Sequence, residues 1–227
     1  MRLKRVEKFT KAVTKGLLPT QQATLCQVVC GLMGCRSLLL AEIARCLETA
    51  VEFRHNLKRV FRFADNERIS QPRSKEILAA RQINQLRRRL QIKPTQYLEI
   101  IIDWTSVNRF QLLSALIPID GRAVPVLQWA VRKWEFKTSQ NSFEEQFIQS
   151  LRRCVDKSLK VIIVADRGFQ RADFLRFLGQ QGFSFVIGVK GEAWVEFSGY
   201  SGKLRDYPLS LGQTCKLRRV AYHKTKR

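Results

Sequence analysis

The sequence predicts an α/β protein in which a mixed β-sheet follows an all-helical region. Over the first ~95 residues, apolar side chains recur every three to four positions, which is the spacing of one buried helix face. Beyond this region the pattern changes to short, strongly apolar stretches that are typical of buried strands. Helices are then interleaved with these strands, and such alternation favours parallel strand neighbours in a sheet.

The composition is strongly basic, since 41 Lys and Arg residues against 19 Asp and Glu residues give a formal net charge of +22. This charge favours a polyanionic partner, with nucleic acid first and a membrane surface second; a basic protein without such a partner is the alternative. Apolar runs stay below the ~18 residues that span a bilayer, and the basic N-terminus lacks the apolar core of a signal peptide. We therefore expect a cytoplasmic protein with no membrane partner and six reduced cysteines, whose spacing does not indicate structural zinc.

Four helical segments are predicted before the sheet: "ATLCQVVCGLMGC", "SLLLAEIARCLETA", "FRHNLKRVFRFADN" and "SKEILAARQINQLRRRLQ". Ser74 is the expected N-cap of the last segment. In the third segment, Leu57, Val60 and Phe61 indicate a buried side. The other side carries four basic residues, Arg54, Lys58, Arg59 and Arg62. Two short helices followed by a basic helix resemble a helix-turn-helix arrangement, so these four residues are predicted to bind DNA; a solvated helix face is the alternative.

After Pro94 the sequence predicts three strands, a helix, a fourth strand, a second helix and a fifth strand. The strands are "YLEIIIDWT", "RFQLLSALIPI", "AVPVLQWAVRKW", "KVIIVADRGF" and "FSFVIGVK", and the helices are "SFEEQFIQSLRRCV" and "RADFLRFLGQQG". The link "DGR", Asp120 to Arg122, is a hairpin signal between the second and third strands. This order is that of the ribonuclease H-like fold, in which a hairpin meander abuts two parallel strands. Short strands are expected after Gly191, one of them in "QTCKLRRVAYHK".

Two aspartates end apolar strands: Asp103 follows "YLEIII" and Asp166 follows "VIIVA". In a ribonuclease H-like sheet the first and fourth strands are parallel neighbours, so both carboxylates are expected at one edge. Two like charges so close are costly unless a divalent cation lies between them, and their oxygens suit Mg²⁺ or Mn²⁺. A pair of such ions can activate a water or a 3′-hydroxyl at a phosphodiester. For each aspartate alone, a turn or N-cap role is the alternative.

The segments "IIIDWTSV", "VIIVADRGF" and "FLGQQGFSFVIGVKG" resemble the first two catalytic blocks of DDE transposases, in the group of bacterial insertion sequences numbered four. The segment "SLLLAEIARCL" and the basic helix after it are similar to the DNA-binding region ahead of that group's core. The resemblance implies that Asp103 and Asp166 are the first two acids of the triad, accompanied by Thr105 and Arg167. It also implies two Mg²⁺ or Mn²⁺ ions in the full-length enzyme, cut-and-paste transposition at terminal inverted repeats into target DNA, and a homodimer on DNA.

The family's third acid is a glutamate within a Tyr…Arg…Glu…Lys signature, on a helix beyond an inserted β-rich region. By the resemblance, this sequence ends within that region. Four glutamates lie outside this context and are not expected to substitute, namely Glu144, Glu145, Glu192 and Glu196. We therefore expect an enzyme truncated before its third acid, which binds Mg²⁺ weakly and is inactive alone.

The resulting domain prediction is a helical DNA-binding region at 1–94, a partial ribonuclease H-like core at 95–190 and the start of an inserted β-rich region at 191–227. Arg167, beside the acids, and Lys190, at the end of the fifth strand, are predicted to contact DNA; a salt bridge and a solvated lysine are the alternatives. Trp104 and Trp194 are expected to pack rather than to stack on a base. Two alternatives exist for the whole chain: a non-catalytic DNA-binding remnant that interferes with intact transposase, and a ribonuclease H-like metal nuclease that uses a glutamate present here.

Overall fold

The computed structural model describes residues 6–10, 18–66, 72–93, 95–132, 134, 140–210 and 212–223. Pro94, the expected break before the sheet, and Lys224, the last residue of "QTCKLRRVAYHK", lie outside these residues. The chain divides into two compact units, Met1–Leu78 and Ala79–Arg227, and the division falls within a helix. The functional boundaries predicted at residues 94 and 190 stay predictions.

The first unit is helical. After a helical stretch at residues 6–10, it contains α1 (Pro19–Cys35), α2 (Leu40–Arg45), α3 (Phe53–Ala64) and the first part of α4 (Pro72–Arg89). Its small core consists of Val28, Ile43, Ala44, Leu47 and Val60. Helices α1 and α2 approach closely at Gly31, where a Cβ atom would lie 3.0 Å from the Ile43 carbonyl oxygen. Only glycine therefore permits this contact without a backbone shift.

Three details of the helical prediction are wrong. The segment "SLLLAEIARCLETA" contains only the six-residue α2, because Arg36 adopts a left-handed conformation (φ 53°) and the chain turns before the next helix begins. Helix α4 begins at Pro72, two residues before the predicted N-cap Ser74, since proline is favoured in a first helical turn. Phe61 is 55% exposed rather than buried. The buried side of α3 follows Val60, and the next residue points about 100° away around the helix.

The second unit is built on a mixed five-stranded sheet with the order β3-β2-β1-β4-β5. Its strands and helices are β1 (Tyr97–Val107), β2 (Phe110–Ile119), β3 (Arg122–Arg132), α5 (Gln140–Cys154), β4 (Lys160–Ala165), α6 (Ala172–Gln180) and β5 (Ser184–Ile187). Strands β1, β2 and β3 form an antiparallel meander, whereas β4 runs parallel to both β1 and β5. The predicted α/β class and the parallel pairing of the first and fourth strands are thus confirmed.

The hairpin between β2 and β3 forms at the Asp-Gly pair. Ile119 and Arg122 are partners across the two strands, which leaves two residues for the turn. Asp120 (φ 50°) and Gly121 (φ 73°) both adopt left-handed conformations, as a two-residue hairpin turn of type I′ requires.

The core of the second unit fixes which way β1 faces. Leu98, Ile100 and Ile102 are fully or almost fully buried, while the alternate residues Glu99 and Asp103 are exposed. Residues of three helices complete this core: Ala79, Ile83 and Leu86 of α4, Phe147, Ile148 and Leu151 of α5, and Phe174 and Leu178 of α6. A shift of one residue in the register of β1 would expose this apolar set and bury Asp103, so packing holds the aspartate on the open face.

The chain after β5 forms a small antiparallel sheet with the order β7-β6-β8, made of β6 (Trp194–Phe197), β7 (Tyr200–Lys203) and β8 (Ala221–His223). The predicted strand in "QTCKLRRVAYHK" is therefore confined to three residues. The fifth strand ends at Ile187, so Lys190 lies three residues beyond it rather than at its end. None of the helices in the described ranges has the length and apolar character that crossing a membrane requires.

Candidate active site

Strand pairing brings Asp103 and Asp166 together. The last pair between β1 and β4 is Ile102 with Ala165. Asp103 is the next residue of β1, and Asp166 is the first residue after β4. Because neighbouring strands lie about 4.8 Å apart, the two aspartates are adjacent at this edge of the sheet. One detail differs from the prediction: Asp103 lies within β1, because β1 stays paired with β2 as far as Val107.

Both aspartates line one cavity of about 470 Å³, together with Trp104, Gln111 and Gln140. The side chains of Asp103 and Asp166 are exposed. The site is therefore an open cleft that a large substrate can enter, in contrast to a closed cavity for a small molecule.

The Asp103 carboxylate is oriented by Thr105. The Thr105 hydroxyl donates a hydrogen bond of 3.0 Å to Oδ2 of Asp103. Residues two apart on a strand point to the same face, so the pairing is a direct consequence of the Asp-x-Thr spacing. No other donor to Asp103 is found among the described residues, which leaves Oδ1 available to a ligand.

The Asp166 carboxylate is oriented by the turn that follows β4. Its Oδ1 accepts a hydrogen bond of 2.8 Å from the Gly168 amide and caps a short 3₁₀ turn, Arg167–Phe169. A Cβ atom on Gly168 would lie 2.9 Å from this oxygen, so the carboxylate position depends on glycine. The alternative role of Asp166 as an N-cap is therefore confirmed, but the cap uses only one of the two carboxylate oxygens. Within the described parts of the chain, Oδ2 has no partner.

Arg167 and Lys190 lie on segments that meet beside Asp166. The segment after β5 passes so close that a Cβ atom on Gly188 would lie 3.2 Å from the Arg167 backbone nitrogen. Further along, the Lys190 backbone amide donates a 2.6 Å hydrogen bond to the side-chain Oε1 of Gln170. The backbone carbonyl of Gln170 accepts a hydrogen bond from the Tyr222 hydroxyl. Arg167 and Lys190 are exposed, and neither forms an ion pair with a carboxylate in the described residues.

Glu144, on α5 next to the cleft, is 1% exposed and has three hydrogen-bond donors. Its Oε1 accepts from the Trp104 indole and the Gln140 amide, both at 2.9 Å, and its Oε2 pairs with Arg171 at 2.6 Å. This network fixes the orientation of Trp104, the residue that follows Asp103 in β1. It was not predicted, because its members come from three separate segments. Trp104 also packs against Phe143 with ring centroids 5.6 Å apart, so its expected packing role is confirmed.

The remaining glutamates lie apart from the aspartate pair. Glu192 forms ion pairs with Lys203 and Arg205; the hydrogen bond from Lys203, with added attraction from Arg205, holds the pKa of the Glu192 carboxyl below its ordinary value. Glu196 accepts a long hydrogen bond of 3.4 Å from the Ser201 hydroxyl. Over the described ranges, no group of three or more His, Cys, Asp or Glu side chains is placed to hold a metal ion. The site consequently offers two acidic ligands.

The four basic residues of α3 differ in their surroundings. Arg54, Lys58 and Arg62 are exposed, as a nucleic-acid contact would require. Arg59 is half-buried, and its guanidinium donates a 3.0 Å hydrogen bond to Oε1 of Gln27 in α1. The helix therefore combines free surface charge with one arginine that is held against the helix bundle.

No protein-family model matches this sequence, and no curated protein matches it.

Proposed function

We propose that this chain is a DNA-processing protein of the DDE transposase type, with a ribonuclease H-like core whose first two acids are Asp103 and Asp166. The observation that carries the proposal is the register of the parallel pair, since Ile102 and Ala165 are partners and the two aspartates follow them directly. The strand order β3-β2-β1-β4-β5 supports it, because a meander beside two parallel strands is the arrangement of that fold. The net charge of +22 supports a polyanionic substrate.

The aspartate pair fits Mg²⁺ or Mn²⁺, because Oδ1 of Asp103 and Oδ2 of Asp166 are hard oxygen donors on adjacent strands that face one cleft. When bound, such an ion supplies Lewis-acid stabilisation of the phosphodiester oxygens. The protein's own contribution is orientation. Thr105 fixes the Asp103 carboxylate and the Gly168 amide fixes that of Asp166. Arg167 is positioned to bind a phosphate of the reacting strand.

In this proposal the substrates are terminal inverted repeats and target DNA, bound by a homodimer. With two acidic ligands, however, the site holds a cation weakly, and we expect cleavage by this chain alone to be slight. A non-catalytic, DNA-binding role is therefore the second candidate, favoured by the absence of a third acid near the pair in the described residues. A stand-alone nuclease that uses Glu144 is less well supported, because three donors already occupy that carboxylate.

Metal binding tests the aspartate pair directly. Mn²⁺ titrations of the full chain should show one weak class of site, with affinity at least tenfold lower in Asp103→Asn and in Asp166→Asn. Asp156→Asn is the matched control, since Asp156 is an exposed aspartate that precedes β4, at the opposite end of that strand. We expect this control to bind like the wild type. If both site variants retain wild-type affinity, the pair is not a metal site.

DNA assays separate the candidate functions. Binding of duplex DNA should weaken steeply with salt, because log K falls by about 0.9 per neutralised phosphate per log unit of salt. A flat salt response would contradict both DNA-binding candidates. In a Mg²⁺-dependent nicking assay we expect little product. Robust cleavage that is abolished by Asp166→Ala would instead support the stand-alone nuclease.

A further inference from the structure

A second cavity lies within the first unit, between the beginning of α1 and one side of α3. Its volume is about 490 Å³. Four of its lining residues are basic, or become so on protonation: His55, Lys58, Arg59 and Arg62. No acidic side chain lines it among the described residues. Within the described part of the chain, the lining is therefore a concentrated site of positive charge.

The basic residues form a stripe along α3. Positions 58 and 59 each lie three or four residues from positions 55 and 62, so all four follow one side of the helix. Arg54 belongs to the same helix and is exposed, but it is not part of the cavity lining. The structure thus divides the four residues predicted to bind DNA into three that share a cavity and one that does not.

Arg59 is fixed in place within this stripe. Its hydrogen bond to Gln27 holds the guanidinium against α1 and limits its rotamers. Because less side-chain entropy is lost when an oriented arginine binds a phosphate, such a residue is a good anion ligand. The exposed Lys58, directly before Arg59, and the exposed Arg62, about one turn after it, add charge to the same site.

The other wall of the cavity is the first two turns of α1, through Thr20, Gln21 and Thr24. The N-cap residue is Leu18, which has no side-chain oxygen to accept from the first-turn amides. The positive end of a 17-residue helix therefore adds to the field of the basic side chains. The Thr20 hydroxyl can donate to an anion, whereas the Thr24 hydroxyl donates to the Thr20 carbonyl at 2.9 Å.

We propose that this cavity is a phosphate-binding site that holds one phosphate of a nucleic-acid backbone, with Lys58, Arg59 and Arg62 as its ligands. The assignment of the phosphate to DNA rests on the proposed function, whereas the site itself rests on the cavity. A contact of this kind positions a protein on the duplex but reads no sequence. It thus assigns α3 a role in backbone binding that differs from the base readout expected of a helix-turn-helix recognition helix.

The test compares Lys58→Ala and Arg62→Ala with Arg54→Ala in the full chain. Arg54 is also an exposed basic residue of this helix and is predicted to contact DNA, but it lies outside the cavity, so the comparison isolates the contribution of the cavity. With random-sequence duplex DNA, each cavity variant should bind several-fold more weakly and reduce the slope of log K against log salt by about one. Arg54→Ala should change both quantities much less. Equal losses in all three variants would show a general basic face and overturn the proposal.

A second arm uses inorganic phosphate as the probe and does not depend on DNA. In NMR titrations of the labelled chain, phosphate should shift the amides of Thr20, Thr24 and Arg62, and these shifts should disappear in Arg62→Ala. If phosphate does not shift these three amides in the wild type, or shifts the amides of exposed lysines equally, the proposed site is wrong. If phosphate binds the cavity but the variants leave DNA affinity unchanged, the backbone assignment is wrong. If the chain does not bind DNA at all, the proposed function fails while this arm still decides on the cavity.

Discussion

Two sets of carboxylates flank the same cleft in opposite environments. Glu144 is 1% exposed and accepts from three donors, whereas Asp103 and Asp166 are exposed and each accepts one hydrogen bond. A buried carboxylate is tolerated only when its oxygens are fully paired, and it then has no capacity for a ligand. Exposed carboxylates with one oxygen each unpaired keep that capacity. The difference indicates a structural role for Glu144, and it supports the proposal that the aspartates bind a ligand.

The largest expected effect comes from breaking the buried network. Glu144→Ala leaves the Trp104 indole, the Gln140 amide and the mostly buried Arg171 guanidinium without their acceptor. Because removal of one partner exposes the full desolvation cost of the other, we expect the free energy of unfolding to fall by about 3–5 kcal/mol. Urea denaturation followed by circular dichroism measures this change.

Glu145→Ala is the control for this experiment. It makes the same change one residue further along α5, at a less buried position, where substitutions alter stability by about 0.5 kcal/mol or less. Glu144→Gln should give an intermediate loss, since it keeps an acceptor for Trp104 but not the charge opposite Arg171. If Glu144→Ala and Glu145→Ala behave alike, the contrast between buried and exposed acids has no energetic basis.

A smaller effect separates the two roles of Asp166. Asp166→Ala removes the cap of the 3₁₀ turn and should lower the free energy of unfolding by about 1 kcal/mol. Asp166→Asn keeps an oxygen that accepts from the Gly168 amide, so its stability should stay within about 0.5 kcal/mol of the wild type while Mn²⁺ affinity is lost. Thermal unfolding with and without Mn²⁺ measures both quantities. Equal destabilisation by the two variants would mean that the charge itself is structural.

Much of the second unit could be predicted from local pattern. Five apolar strands, two helices and one Asp-Gly turn determine the element order. The apolar run in β1 predicts a buried strand, but the three consecutive isoleucines do not show which of them face the core. The adjacency of Asp103 and Asp166 then follows from the pairing of the first and fourth strands. These features are predictable because they depend on period and order rather than on individual contacts.

Features that depend on contacts between distant segments could not be predicted. Glu144 draws its donors from β1, from its own helix and from the residue before α6, and no spacing in the sequence joins them. The exposure of Phe61 and the short α2 depend on how three small helices share a limited core. The division of the basic residues of α3 depends likewise on the position of Gln27 and the first turn of α1.

The smallest effect on stability, and the most direct test of how Asp166 is held, comes from Gly168→Ala. The new Cβ atom would lie 2.9 Å from Oδ1 of Asp166, but this carboxylate is exposed and can rotate away. We therefore expect the free energy of unfolding to change by about 0.5 kcal/mol or less, because the clash is offset by lower entropy of the unfolded chain. Mn²⁺ affinity should fall, since the displaced carboxylate no longer faces Asp103.

Gly179→Ala is the matched control. Within the described residues its Cβ atom would meet no atom within 4 Å, and replacing a helical glycine by alanine should raise the free energy of unfolding by about 1 kcal/mol. Unchanged Mn²⁺ affinity in Gly168→Ala would show that the hydrogen bond from the Gly168 amide does not position the Asp166 carboxylate for the cation.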